Sequence, residues 1–313
     1  VKIFSEFSSL EAIPNPVLTI GTFDGVHMGH QKIIDQLNKE ADAIGGESVL
    51  FTFYPHPRMV LFPESHGLQL IQTQEEKLDK LKRMGLQNVI VYPFTYEFSR
   101  LTALEFVRDF LVNQLNVRKV VIGYDHQFGK NREGSIDFLK KVAPTYDFEV
   151  IEIPAQEIDE VNVSSTKVRQ AILNGDVHKA NHFLGEPFQL TGTVIHGNAL
   201  GRTIGYPTAN IEVNSQLKLI PGNGVYGVTV KLDESSYNGM MNIGIRPTIG
   251  GKLKRTVEVH IFDFDQDIYG QSITVHFLSK WRDENKFGSL EDLKAQLKMD
   301  EEAIRSQFDI TAE

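Results

Sequence analysis

The sequence predicts an α/β protein in two parts: a doubly wound parallel sheet, then a small antiparallel β-barrel or sandwich closed by a helix. Three observations carry that expectation. Strand-length apolar runs alternate with helical patterns through roughly the first 150 residues, which demands crossover connections and hence parallel strands. From Pro187 onward the pattern becomes short alternating runs between turns, with helical spacing returning only near the C-terminus. A glycine-bearing turn, Gly21-Thr22-Phe23-Asp24-Gly25-Val26-His27-Met28-Gly29-His30, joins a buried strand to an amphipathic helix near the start.

The elements follow in order. Val17-Leu18-Thr19-Ile20 ends the first apolar run, and Ile33, Ile34, Leu37 and Ala41 recur at helical spacing over 31–43. Strands are expected at 48–53, 88–94, 119–123 and 148–153, each an apolar run with turn residues at its borders. Helices are expected at 74–84, stopped by Gly85, at 104–115, and at 136–142. Ser164, Ser165 and Thr166 are N-cap types that open a further helix through Leu173, ended by Asn174-Gly175. Alternation then marks strands at 189–197, 225–232, 239–245, 256–262 and 272–277, and a helix at 290–297. The junction at Leu184-Gly185-Glu186-Pro187 divides the chain into 1–185 and 186–313.

Composition narrows the function. A chain of 313 residues can hold two cores, and 41% apolar with 23% charged residues is the balance of an ordinary globular protein. A net charge of −9 disfavours a nucleic-acid partner, whose site would be basic, but leaves room for a local positive field around a polyphosphate. The absence of cysteine excludes disulfides, thiol catalysis and thiolate metal sites, and fits a cytoplasmic location. No run approaches the ~20 apolar residues of a membrane span, and no secretory leader is expected.

Chemistry concentrates in four places. Gly21, Gly25 and Gly29 let the first turn approach a ligand closely, at a helix N-terminus that favours phosphate. His27 and His30 then offer ring N–H donors, while Asp24 suits a turn or cap. Two bare histidines are often surface or capping residues, but the strand–turn–helix setting favours the phosphate reading. Ser164, Ser165, Thr166 and Arg169 would form a second clamp on the same polyphosphate. His56, between Pro55 and Pro57, lies at the C-terminal end of a strand, the side on which open α/β sheets bind ligands. Gly201-Arg202-Thr203-Ile204-Gly205-Tyr206-Pro207-Thr208-Ala209-Asn210 ends in hard oxygen donors, Thr208 and Asn210, suited to Mg²⁺. Glu258 shares a strand face with Thr256 and His260; taken alone, that pattern reads as the polar face of an edge strand.

Together these motifs resemble the bacterial bifunctional riboflavin kinase/FAD synthetase family. The likeness rests on Gly21–His30, Thr52–Pro57, Gly123–Gly129 and Ser164–Arg169 in the first half. In the second it rests on Gly201–Asn210, Asn242–Thr248, Glu258-Val259-His260, Asp267–Gly270 and Trp281–Phe287. It implies an N-terminal FMN adenylyltransferase domain of nucleotidyltransferase type, and a C-terminal six-stranded riboflavin kinase barrel with a terminal helix. Riboflavin and FMN would be the acceptors, FAD the product, ATP the co-substrate at both sites and Mg²⁺ the metal. The resemblance implies Glu258, His27, His30 and Arg169 as catalytic residues, with Thr208 and Asn210 on the metal. Nucleotide contacts would come from Gly21, Thr22, Phe23, Asp24, Gly25, Gly29, Ser164, Ser165, Thr166, Gly201, Arg202, Gly205 and Pro207. Flavin contacts would come from His56, Asp125, Phe128, Tyr269, Trp281 and Arg282. Three other readings compete: transfer to a different phosphorylated acceptor, a nucleotide-sensing or nucleic-acid-binding protein with an OB-like barrel, and a fusion with one inactive domain. The oligomeric state is open.

Overall fold

The computed structural model describes residues 1–6, 12–64, 67–124, 126–154, 163–197, 200–247 and 253–311. Contacts divide the chain into two compact units, Val1–Ser165 and Thr166–Glu313.

The first unit is a six-stranded, all-parallel sheet. Its strands are β1 (Lys2–Phe4), β2 (Val17–Ile20), β3 (Ser48–Tyr54), β4 (Asn88–Pro93), β5 (Lys119–Gly123) and β6 (Glu149–Ile153), in the order β1-β4-β3-β2-β5-β6. The crossovers carry α1 (Met28–Ala43), α2 (Pro57–Leu61), α3 (Gln74–Arg83), α4 (Ala103–Phe106) and α5 (Ile136–Tyr146). Adjacent strand residues serve opposite faces. Val17, Leu50, Val89 and Val121 pack with Ile34 and Leu37 of α1 and Leu81 of α3. Leu18, Val49, Ile90 and Val120 pack with Phe106, Leu111 and Leu139 on the other side. Burial on both faces explains why these strands read as continuous apolar runs.

The sequence reading places five of these strands. The sixth, β1, is only three residues long and pairs Lys2, Ile3 and Phe4 with Asn88, Val89 and Ile90 at the sheet edge, too short for a periodic signal. Helix α4 continues as a π-helix over Val107–Gln114 where an ordinary helix is expected. Helix α1 begins three residues before the expected start because His27 caps it.

The second unit begins within α6 (Ser165–Leu173), at Thr166, and α7 (Val177–Leu184) follows before a closed antiparallel barrel. Its strands are β7 (Phe188–Ile195), β8 (Ala209–Val213), β9 (Gly224–Leu232), β10 (Ser235–Pro247), β11 (Leu253–Ile261) and β12 (Ser272–Arg282), ordered β10-β11-β8-β7-β12-β9 and closed by β9 on β10. A short helix, α8 (Leu200–Thr203), precedes β8, and α9 (Leu290–Thr311) ends the chain. The choice between barrel and sandwich is thus resolved in favour of the barrel. Its sixth strand, β8, starts inside the Pro207–Asn210 loop, where Asn210 and Glu212 interrupt the apolar pattern. Strand β11 lies between β10 and β8, so Glu258 is not on an edge. No helix among the described residues is long and apolar enough to cross a membrane.

Candidate active sites

The first site follows from the strand order. The chain leaves β2 for β3 on one side and later returns to β5 on the other, so the C-terminal ends of β2 and β5 flank a switch point, where open sheets bind ligands. A cleft of about 970 Å³ opens there. Gly21, Thr22, Phe23, His27, Gly29, His30, Phe128, Ser164 and Ser165 all line it. The turn from β2 to α1 is left-handed at Phe23, Gly25 and Val26, with φ of 50°, 90° and 38°. Positive φ at a β-branched residue costs about 1–3 kcal/mol, and the buried setting of Val26 sustains it. The Phe23 ring lies over Gly21, where a Cβ would collide with it.

His27 caps α1: its Nδ1 accepts from the His30 backbone N–H at 3.4 Å, which leaves the ring proton on Nε2. Its ring stacks on His30 at 3.7 Å, and His30 stacks in turn on Phe23 at 4.5 Å. Burial, followed by the nearby His27, Lys77 and Lys80, holds the His30 pKa well below the usual histidine range. The buried Nδ1 of His30 has no hydrogen-bond partner among the described residues. A neutral imidazole with an unused polar atom at a helix N-terminus is a ready phosphoryl ligand. Within the first unit, Ser165 Oγ donates to the Asp24 carbonyl at 2.9 Å.

Other expected residues sit elsewhere. The Asp24 carboxylate accepts from the backbone N–H groups of Ile71 at 3.0 Å and Gln72 at 3.4 Å, and Gly25 packs on the Ile71 side chain, so both turn away from the cleft lining. His56 caps α2, accepting from the Arg58 N–H at 3.2 Å, and only its neighbour Pro57 lines the cleft. Asp125 lies outside the described residues. Thr166 and Arg169 belong to the second unit. Two groups of lining residues escaped the sequence reading. Phe53, Phe94, Tyr96, Phe98 and Phe106 form an aromatic wall, signalled by the aromatic spacing of 92–98. Arg100, Lys130 and Arg132 bring positive charge to an acidic chain.

The second site is a cavity of about 220 Å³ against the outer face of the barrel. Three strands align across it: Asn242 on β10 is paired with Glu258 on β11, and Glu258 with Asn210 on β8. Directly paired residues point to one face, and all three line the cavity. Glu258 is buried while Val257 and Val259 face the barrel core, as alternation requires. His260 Nδ1 lies 2.7 Å from the Pro207 carbonyl, fastening the loop that carries Thr208 to β11. A Cβ at Gly197 would strike the Asn210 amide, so glycine is needed beside it.

Gly201, Thr208, Asn210 and Arg282 also line the cavity; Arg202, Gly205 and Pro207 are exposed beside it. Tyr269 stacks on His196 at 3.8 Å and Trp281 is 39% exposed, and neither lines the cavity. Asn242, Glu284, Phe287 and Leu297 are lining residues that were not named as contacts, although Asn242 opens a motif the sequence reading singled out. Thr248 of that motif lies outside the described residues.

Comparison with known proteins agrees with this geometry. Residues 10–167 match the family model described as FAD synthetase, and residues 184–308 the one described as riboflavin kinase. The bifunctional riboflavin kinase/FMN adenylyltransferase of Haemophilus influenzae is 40% identical over 93% of this chain and 94% of its own length. That of Escherichia coli strain K12 is 39% identical over 99% of both. A solved structure described as a macrolide-efflux protein from Streptococcus pneumoniae is 37% identical and covers 97% of this chain and 98% of that one, with a TM-score of 0.88. Two family models in tandem, with relatives matched from end to end, show that the chain belongs to the bifunctional riboflavin kinase/FMN adenylyltransferase family.

Proposed function

We propose that the barrel cavity phosphorylates riboflavin with Glu258 as general base, and that the cleft at the β2/β5 switch point makes FAD without one. The two nucleophiles differ. The ribityl hydroxyl of riboflavin is weak until deprotonated, so a carboxylate within reach is needed to take its proton. The FMN phosphate is already anionic and attacks the α-phosphorus of ATP directly, expelling pyrophosphate. Orientation and neutralisation of developing charge suffice there.

The row Asn242–Glu258–Asn210 carries the first assignment. It sets a buried carboxylate between two amides, which can supply hydrogen bonds to substrate hydroxyls. Thr208 and Asn210 give a hydroxyl and an amide oxygen at the same cavity, a donor set that fits Mg²⁺. Among the described residues no cluster of three or more His, Asp or Glu could hold a metal, so these two oxygens would act with substrate phosphates. Bound there, Mg²⁺ would offset charge on the ATP phosphates. In the cleft, His27 Nε2 and His30 donate toward phosphoryl oxygens, Arg100, Lys130 and Arg132 supply the positive field, and the aromatic wall takes the flavin ring. We place Ser164 and Ser165 on the same polyphosphate.

One incubation tests the division: purified protein with riboflavin, ATP and Mg²⁺, and flavins separated over time. The unaltered chain forms FMN that gives way to FAD. Glu258→Gln is expected to lower FMN formation at least 1000-fold while converting added FMN to FAD at the normal rate. Near-normal kinase turnover in that variant removes Glu258 as the base. His30→Ala is expected to stop the sequence at FMN.

A further inference from the structure

Bonded to the turn that lines the cleft, but not itself a lining residue, is a buried lysine. Lys77 is on α3 and only 6% exposed. Its ammonium donates to the Thr22 carbonyl at 3.2 Å and to the Thr52 hydroxyl at 3.3 Å. The Thr52 hydroxyl, on β3, donates to the same Thr22 carbonyl at 3.3 Å. One carbonyl of the β2–α1 turn is thus held by donors from two other elements. In a trans peptide the carbonyl and the following N–H point in opposite directions. Fixing the Thr22 oxygen inward therefore fixes the Phe23 N–H outward, at a residue that lines the cleft. Phe23 also has positive φ, so the turn does not hold this orientation through its own conformational preference.

We propose that Lys77 is a positioning residue for adenylyl transfer: with Thr52 it clamps the Thr22 carbonyl, so that the Phe23 N–H stays aimed at the phosphate on which charge develops. This rests on reading the cleft as the adenylyl-transfer site. A preorganised backbone donor aimed at developing charge acts mainly on the transition state, so its loss lowers kcat more than it raises KM. The buried cation also adds positive potential behind the phosphates. It faces Asp24 on the turn and His30 on α1, and Glu76 and Lys80 are its charged neighbours on α3. Burial pushes the Lys77 pKa down to about 8, with Asp24 opposing the fall. A hydroxyl or amide could bond a carbonyl without the desolvation of an ammonium, so the use of lysine points to its charge.

The test uses the full chain, assaying FMN adenylylation and riboflavin phosphorylation separately between pH 6 and 10. On kcat/KM, which reports the free enzyme, unaltered protein is expected to lose adenylylation with an apparent pKa near 8, a limb that phosphorylation does not share. Lys77→Met should lower the adenylylation kcat at least 20-fold at pH 7, change KM for FMN less than 3-fold, and abolish the limb. Thr52→Val, which leaves the lysine in place, should lose 3- to 10-fold and keep the limb. Circular dichroism shows whether each variant is folded. A folded Lys77→Met with adenylylation within 2-fold of normal, or with the limb intact, overturns the proposal. If Lys77→Met does not fold, the other two measurements decide: a flat profile from pH 7 to 9.5, or full activity in Thr52→Val, overturns it. His30→Ala separates the two readings. If it retains adenylylation, the cleft assignment itself falls; if it is inactive while Lys77→Met is not, only the role of Lys77 falls.

Discussion

Burial, the adjacent His27 ring and the ammonium groups of Lys77 and Lys80 all oppose a charge on His30. In the ligand-free protein it is therefore neutral where an unfolded chain would begin to protonate. The sign follows directly. Below pH 6.5 the unfolded state takes up a proton that the folded state refuses, so stability associated with His30 is complete above 6.5 and falls as pH drops. Triphosphate beside the ring reverses the local field. His30 should titrate well below the usual histidine range without ligand and move up with ATP, so that ATP binds more tightly toward acid pH. Imidazole resonances followed by NMR check this, and an unmoved titration would remove His30 from the phosphates. Asn210 allows a parallel experiment at the other site. Asn210→Ala should raise the Mg²⁺ concentration for half-maximal phosphorylation at least 10-fold and leave adenylylation unchanged, read from magnesium titrations of both reactions.

At the scale of elements, β11 shows what pattern alone conveys. Alternation gives the inward valines and the outward Glu258, but an outward residue on one strand is as readily a surface residue as a base. What makes Glu258 a site is its register with Asn210 and Asn242, which depends on pairings among three strands and leaves no mark on any one of them. The motif around the first turn was legible for the opposite reason: its strand, glycines, histidines and helix are contiguous. The aromatic wall and Lys77 were not, because apolar walls resemble core and a lysine on an amphipathic helix usually faces water. Arg282 was named as a contact, but its buried partner was not. Its guanidinium meets Asp300, which has no exposed surface, through Nε at 3.0 Å and Nη2 at 2.7 Å, while Gln296 donates to the same carboxylate at 2.8 Å. This pair fastens α9 to the end of β12, and Arg282 lies 5.8 Å from the centre of the Phe287 ring that lines the kinase cavity. Removing one partner of a buried pair costs about 3–5 kcal/mol. Asp300→Ala should lose stability of that order in chemical denaturation, and raise the KM for riboflavin, since Leu293 and Leu297 of α9 also line the cavity.

Across the whole molecule, two kinds of sequence texture correspond to two self-contained cores, and that division was readable from alternation alone. Where it falls, near 165 or near 185, is a separate question. The turn chemistry of 184–187 suggests a boundary after 185, whereas contacts assign α6 and α7 to the barrel unit. The physical reason lies in α7. Phe183 and Leu184 are buried, and Asn181 bridges two barrel strands, accepting from the Phe188 N–H at 2.7 Å and donating to the Phe277 carbonyl at 2.7 Å. The Gly222 N–H also reaches back to the Ile172 carbonyl of α6 at 3.0 Å. A short helix joined by side-chain bridges belongs to the strands it bridges, whatever the turn that follows it. Two fragments discriminate between the boundaries. One beginning at 163 should phosphorylate riboflavin like the full chain, whereas one beginning at 186 should lose several kcal/mol of stability, each large apolar side chain of α7 being worth about 2 kcal/mol and each Asn181 bond about 1 kcal/mol. Within the full chain, Asn181→Ala should cost roughly 2 kcal/mol on the same basis and lower the unfolding midpoint of the barrel unit, leaving adenylylation at the assay temperature untouched. Equal stability of the two fragments would return the boundary to 185 and make α7 a linker.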